Sequence, residues 1–316
     1  RPPRSTLFPY TTLFRSADRI TVVRLGKIVG QAQPTATNAE LASLMVGRAV
    51  ELTVQKDAPR IADAGGLSIR DLRVVTPEGA VVVDGVDLDV RPGEIVAIAG
   101  VQGNGQTELV EAIVGLADRV TGTVDLDGTP LIGKSVRAIL DAGVGFVPED
   151  RKEDGLVGNF SVAENLILDR SSDSAFVSGG TIRRGTLTDF ARERIAEYDI
   201  RTQSASTPVG TLSGGNQQKV VIAREMSRPL KLLVAAQPTR GVDVGSIEFI
   251  HKQIVAARDA GVPVIVVSTE LDEIAALGDR IVVMYRGGVV GIVPGDTPRD
   301  VLGLMMAGEK PAEEAA

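Results

Sequence analysis

The pattern of apolar and polar residues changes twice along this chain of 316 residues. From Ser68 to Val75 and from Val81 to Val90, valine-rich runs alternate with polar positions. A period of two predicts strands with one buried face, here an antiparallel β subdomain. Between Glu94 and Ala99 the run is nearly all apolar; it enters a glycine-rich turn and continues as a helical pattern over Thr107 to Val114. Further apolar strands at Val144–Val147, Leu232–Ala235 and Val264–Ser268 are separated by helical patterns. Strands and helices alternating in this way predict a parallel α/β core. The stretch from Phe160 to Pro208 is richer in charge, with helices such as Asp189 to Tyr198, and predicts an inserted helical subdomain.

A second regularity acts over a longer distance. Ala17 to Gly30 resembles Gly278 to Gly291, with Asp18 falling on Asp279 at an offset of 261 residues. Without a gap, the same offset places Leu41, Met45 and Gly47 on Leu302, Met306 and Gly308. Two segments obeying one offset predict tandem copies of one domain. Residues 17–58 are then the C-terminal remnant of a first copy, 59–66 a linker, 67–308 a second copy, and 309–316 a disordered tail. Residues 1–16 stand apart. Thr6 to Ser16 is what one frame of a common short-read sequencing adapter encodes, so this segment is expected to be foreign and the true N-terminus to be missing.

Composition narrows the function. The longest apolar stretches, such as Val262 to Val267, fall far short of the roughly 18 to 20 residues that span a bilayer, so a membrane role must act through a partner. The absence of cysteine excludes disulfides and fits the cytosol. Net charge is −7, and −10 without Arg1, Arg4 and Arg15, which argues against a nucleic-acid surface.

The chemistry concentrates in two glycine-rich segments. In Leu212-Ser213-Gly214-Gly215-Asn216-Gln217-Gln218-Lys219, Ser213 can cap the following helix, the glycines let backbone N–H groups approach an anion, and the helix dipole favours negative charge there. Gly100-Val101-Gln102-Gly103-Asn104-Gly105-Gln106-Thr107 lies between a strand and a helix, the context of a phosphate-binding P-loop. Its glycines Gly100, Gly103 and Gly105 suit a phosphate cradle, and the Thr107 hydroxyl could touch Mg²⁺. At the position of the P-loop lysine stands Gln106.

Leu-Ser-Gly-Gly is the signature of ABC ATPases, and residues 66–308 resemble the second half of the tandem ABC ATPases that energise bacterial sugar and nucleoside importers. The resemblance rests also on Pro238-Thr239-Arg240-Gly241-Val242-Asp243 and on Pro148 to Leu156, similar to that subfamily's Q-loop with Glu149 in place of glutamine. It implies an ABC nucleotide-binding domain of the P-loop NTPase fold, using ATP and Mg²⁺ and working at the cytoplasmic face of the bacterial inner membrane. The implied partners are a first ATPase domain, membrane permease subunits and, indirectly, an external solute-binding protein.

Against that pattern three further positions are altered. Ala236 and Gln237 stand where the family places the metal-holding Asp and the water-polarising Glu, and Thr269 stands where it places the γ-phosphate-sensing histidine. Gly100, Gly103, Asn104, Gly105, Gln106 and Thr107 are then expected to bind ATP with little hydrolysis. The resemblance implies that Ser213, Gly214, Gly215 and Asn216 complete the ATP site of the first half, with Asp243 in the D-loop between the two sites. Solvated loop carboxylates such as Glu149 and Glu270 are weak substitutes for the base, and His251, the sole histidine, is expected to face solvent or pack within a helix. The loop together with Ala235-Ala236-Gln237-Pro238 looks more like nucleoside than sugar importers. A monosaccharide importer, or a regulatory module that binds nucleotide without turnover, is the alternative. An ABC protein acting on nucleic acid or ribosomes would need a basic arm that this chain lacks.

Overall fold

The computed structural model describes residues 17–24, 26–47, 54–170 and 173–310. The readings of residues 1–16 and 311–316, and of residues 48–53 within the expected remnant, lie outside them. The described chain begins with β1 (Ile20–Arg24), β2 (Lys27–Ala32) and helix α1 (Asn38–Val46), the helix started by a capping box of Thr37 and Glu40. There follow β3 (Leu67–Val75), β4 (Val81–Val90), β5 (Ile95–Ala99), α2 (Gln106–Val114), β6 (Val120–Leu126), β7 (Thr129–Pro130), α3 (Val136–Asp141) and β8 (Val144–Val147). The inserted segment carries α4 (Val162–Asn165), the short strands β9 (Val177–Ser178) and β10 (Thr181–Ile182), and α5 (Arg184–Glu197). Then come α6 (Gly214–Met226), β11 (Leu232–Ala236), α7 (Val244–Asp259), β12 (Val264–Ser268), α8 (Leu271–Leu277), β13 (Arg280–Tyr285), β14 (Gly288–Pro294) and α9 (Arg299–Met306).

Two sheets follow from the two periodicities. The alternating strands form an antiparallel sheet in the order β4-β3-β6-β7, Leu67 facing Val90 and Ile69 facing Leu88. The apolar strands form a six-stranded sheet, β14-β13-β5-β12-β11-β8, parallel except for the edge strand β14. Every residue of β5, β11 and β12 is buried, because helices and the second sheet cover both faces. One core joins Ile98, Val234 and Val267 to Leu109 and Ile113 of α2 and to Leu72 and Leu88 of the antiparallel sheet. The opposite face joins Ile95 and Val266 to Val221 of α6, Ile254 of α7 and Leu166 of the insert. The insert is pinched at its base by a bridge between Ser161 and Pro208. Among the described residues no helix is long and apolar enough to cross a membrane.

The segments related by the 261-residue offset adopt one shape. Each is a β-hairpin followed by a helix, and each hairpin carries a bulge at the matching place, between Val22 and Val23 in one and between Val283 and Met284 in the other. Beyond β13 the sheet continues to β5, whereas β1 and β2 form a two-stranded sheet on their own. Lys56 and Asp57 lie against the 67–308 body. Lys56 Nζ donates to the carbonyls of Leu277 (2.7 Å) and Gly278 (2.8 Å) and to Asp279 Oδ1 (2.9 Å). Fully buried Arg258 donates to the same Oδ1 at 3.0 Å and to the Asp57 carbonyl at 3.0 Å, while Asp279 Oδ2 accepts the N–H of Ile95 at 2.9 Å.

Candidate functional site

The carboxyl ends of the parallel strands bring residues 100–107, Glu149, Ala236, Gln237 and Thr269 to one rim, where open α/β sheets bind ligands, while Ser213–Asn216 and Asp243 lie at the starts of α6 and α7. β5 leads into the loop Gly100–Gly105, and α2 begins with no side-chain cap on its first N–H groups. Such a helix start holds an anion well. Gly105, at φ 98°, turns the chain into the helix, and a Cβ there would strike the Val82 carbonyl. Asn104 braces the loop: its Nδ2 donates to the Val101 carbonyl at 3.0 Å, and its Oδ1 accepts the N–H of Arg286 at 2.8 Å. Gly287 N–H reaches the Asn104 carbonyl at 3.0 Å, so the turn between β13 and β14 supports the loop from below.

Gln106 is buried and turns back into its own loop. Its Oε1 accepts the Asn104 N–H at 3.1 Å, and its Nε2 donates to the Val101 carbonyl at 3.2 Å. A lysine there would offer only donors; the amide instead occupies a loop N–H. Thr107 is exposed in the first turn of α2. Ala236 supplies no oxygen beside it, and among the described residues no cluster of three or more His, Cys, Asp or Glu is arranged to hold a metal.

At the end of β11, Gln237 is held at φ 48° and meets Thr269 at the end of β12. Gln237 Nε2 donates to Thr269 Oγ1 and Thr269 N–H to Gln237 Oε1, both at 3.4 Å. The Gln237 side-chain amide therefore spends both its donor and its acceptor on Thr269. Glu149 pairs with Arg240. Glu270 opens α8, and burial, followed by the charges of Glu273 and Asp272, pushes its carboxyl above the usual carboxylate range.

The signature segment caps α6 as its sequence predicts. Ser213 Oγ accepts from Asn216 Nδ2 at 2.9 Å and from the Asn216 N–H at 3.4 Å, and Asn216 Oδ1 accepts the Arg201 N–H at 2.8 Å. Gln217 Nε2 ties the helix to the preceding turn through the Leu212 carbonyl at 3.2 Å, and buried Lys219 reaches the Asp199 carboxylate at 2.8 Å. Arg151 lies against Gly214 and donates to the carbonyls of Arg240 (2.7 Å) and Gly241 (3.2 Å). Asp243 caps α7 and accepts from the Ser246 hydroxyl at 2.8 Å. No hydrogen bond joins residues 100–107 to 213–216 among the described residues.

Residues 83–240 match the family model for ABC transporters. This chain belongs to the ABC transporter family. Two relatives are the nucleoside import ATP-binding protein NupA of Lactococcus lactis, 45% identical over 92% of this chain, and the guanosine import ATP-binding protein NupO of Bacillus subtilis, 44% identical over 94%. A glucose import ATP-binding protein of Haloferax volcanii is 44% identical over 92% of the chain. The chain spans 58% of the length of each of the first two and 54% of the third. The ABC cassette fold is borne out by solved structures: an ATP-binding cassette in its ADP conformation superposes with a TM-score of 0.62 at 20% identity, covering 76% of this chain and 95% of its own.

Of the two expectations for His251, solvent-facing or packed within a helix, the packed one holds. The residue is buried with Nε2 3.0 Å from Glu273 Oε1, an oxygen that also accepts the Thr239 hydroxyl at 2.8 Å. Sequence reasoning also missed Arg151, Arg240 and Arg286 as supports of the motifs. The charged run 149–153 was the only signal for the first of them, since carbonyl acceptors leave no mark in a sequence.

Proposed function

We propose that this chain is part of the ATP-binding subunit of an ABC importer, powering uptake of nucleosides through permease subunits at the cytoplasmic face of the bacterial inner membrane. The printed activities of the relatives support it, with the glucose relative keeping a monosaccharide importer as the second reading. Residues 17–58 are the end of a preceding ATPase domain and 67–308 a second; the shared hairpin, bulge and helix support this division.

The ATP site on Gly100–Thr107 is a binding site with little turnover, with Mg²⁺ arriving alongside ATP and Thr107 as its one donor from this loop. Ser213 to Asn216 serve the ATP of the preceding domain. The observation that carries the asymmetry is the mutual hydrogen bonding of Gln237 and Thr269 beside Ala236. A missing general base costs about 10² to 10⁴ in rate and a missing charge-stabilising donor about 10² to 10³, so together they leave little hydrolysis.

The test is steady-state ATPase activity of the chain against the triple variant Gln106→Lys, Ala236→Asp, Gln237→Glu. The variant is expected to be faster by at least tenfold. Equal rates would mean that the altered positions do not limit turnover. Uptake of labelled guanosine against labelled glucose, by cells carrying the full-length protein with its permease, separates the two solutes.

A further inference from the structure

The buried trio Thr239, Glu273 and His251 lies directly behind the altered rim. Thr239 follows Gln237 by two residues, and Glu273 lies one helical turn after Thr269. The three side chains are 7%, 4% and 4% exposed. Glu273 Oε1 accepts from Thr239 at 2.8 Å and stands 3.0 Å from His251 Nε2. His251 Nδ1 is buried with no partner. An unpaired ring nitrogen is better tolerated as a bare acceptor than as a donor, which assigns the proton to Nε2, pointing at Glu273.

His251 sits on α7, a helix of 16 residues and so about 24 Å long. A second tie, Arg258 to Asp279 at 3.0 Å, fastens the far end of α7 to the residue two beyond α8. One buried contact thus joins α7 to α8, and the second joins α7 to the segment that follows α8. At its other end α7 abuts the signature: a Cβ on Gly215 would strike Ser246 Oγ and Asp243 Oδ2. Such contact leaves Gly215 no room to stay in place if the start of α7 shifts.

We propose that His251 and Glu273 are positioning residues that carry the state of the nucleotide site at Gln237 and Thr269 along α7 to the signature glycine Gly215. A γ-phosphate arriving at the rim must part Gln237 from Thr269, which immediately precedes Glu270, the N-cap residue of α8; Glu273 then moves with α8, and His251 with Glu273. The degenerate site thereby sets the signature offered to the other ATP. Such coupling presupposes that nucleotide binds at residues 100–107.

The test uses the full chain and ATP-Mg²⁺ as probe. Binding is measured by titration calorimetry, and amide hydrogen exchange by mass spectrometry over residues 213–226 and 243–259. As the only histidine, His251 also gives a single pair of imidazole ¹⁵N resonances. ATP is expected to shift those resonances and to slow exchange at 213–226 about fivefold or more, the lower end of ordinary site-to-site coupling. His251→Leu should bind ATP as the parent does yet lose the protection at 213–226, and His251→Gln, which keeps a side-chain donor, should restore it. Unchanged His251 resonances in a chain that binds ATP overturn the coupling and leave the binding site standing. Absence of binding overturns both. If His251→Leu fails to fold, Thr239→Val, which removes one donor to the same oxygen, takes its place with the same expected loss, and full protection in that variant counts against the coupling.

Discussion

The side-chain oxygen of Gln106 accepts the backbone N–H of Asn104 at 3.1 Å, within the glycine-rich loop between β5 and α2. A phosphate oxygen seeking that N–H must displace a bond worth about 0.5–1.5 kcal/mol net. Gln106→Lys is expected to tighten ATP binding tenfold or more, since a charged donor contributes about 1.5–3 kcal/mol. Gln106→Ala should bind no more weakly than the parent. Tenfold weakening of the alanine variant in calorimetry would mean that Gln106 grips the nucleotide rather than the loop.

Gly215 packs on the capped start of α7, so Gly215→Ala inserts a methyl where Ser246 and Asp243 stand. Overpacking of this kind costs about 1–3 kcal/mol. Urea denaturation should show a lower midpoint with an unchanged slope, and an unchanged midpoint would show that the two helices part easily.

Magnitude separates two ionic contacts that look alike in sequence. Arg258 is fully buried against Asp279, whose Oδ1 keeps Lys56 as a second partner, so Arg258→Ala removes one of two buried cations, an expected loss of about 1–3 kcal/mol. Arg240 and Glu149 are 57% and 23% exposed, so Arg240→Ala should cost below about 1 kcal/mol. Thermal melts of the two variants in parallel check the order.

Acid sensitivity should report on Glu94. Burial, the largest influence, pushes its carboxyl up, but donation from Arg280 and Arg91 outweighs it and holds the group below the usual carboxylate range. A carboxyl lowered on folding contributes stability above its unfolded value, near 4.3, and loses it as pH falls through the lower folded value. Glu94→Gln should therefore be less stable than the parent at pH 7 and flatter in stability as pH falls from about 5. Parallel curves for the two proteins would remove Glu94 as a source of acid lability.

Much of the frame was legible because burial leaves a periodic mark. Val81–Val90, Val144–Val147 and Val264–Ser268 are strands with those bounds, and the helix after the P-loop begins only one residue earlier than predicted. The helix predicted at Asp189–Tyr198 spans Arg184–Glu197, since Gly185 and Thr186, poor helix formers, obscure its first turn. The strand Val120–Leu126, which completes the antiparallel sheet, escaped notice; three of its residues are exposed and its pattern is weak. The glycine-rich segments were legible as motifs resembling those of a family, but the contacts that shape them were not. Arg151 acts through two carbonyls, Gln106 through a neighbouring N–H, and His251 through a carboxylate 22 residues away. Side-chain identity announces none of these; only the fold brings the partners together.

The lone hairpin of β1 and β2 has a consequence for handling the protein. In the segment 261 residues further on, β13 gives its second edge to β5, but β1 has no neighbour on that side among the described residues, and Val23 and Ile28 stand 61% and 68% exposed. A row of unpaired backbone groups beside exposed valine and isoleucine is a template for another strand. Expressed as it stands, the polypeptide carries its own aggregation seed at one end, and yield will depend on whether that edge is capped, charged or removed.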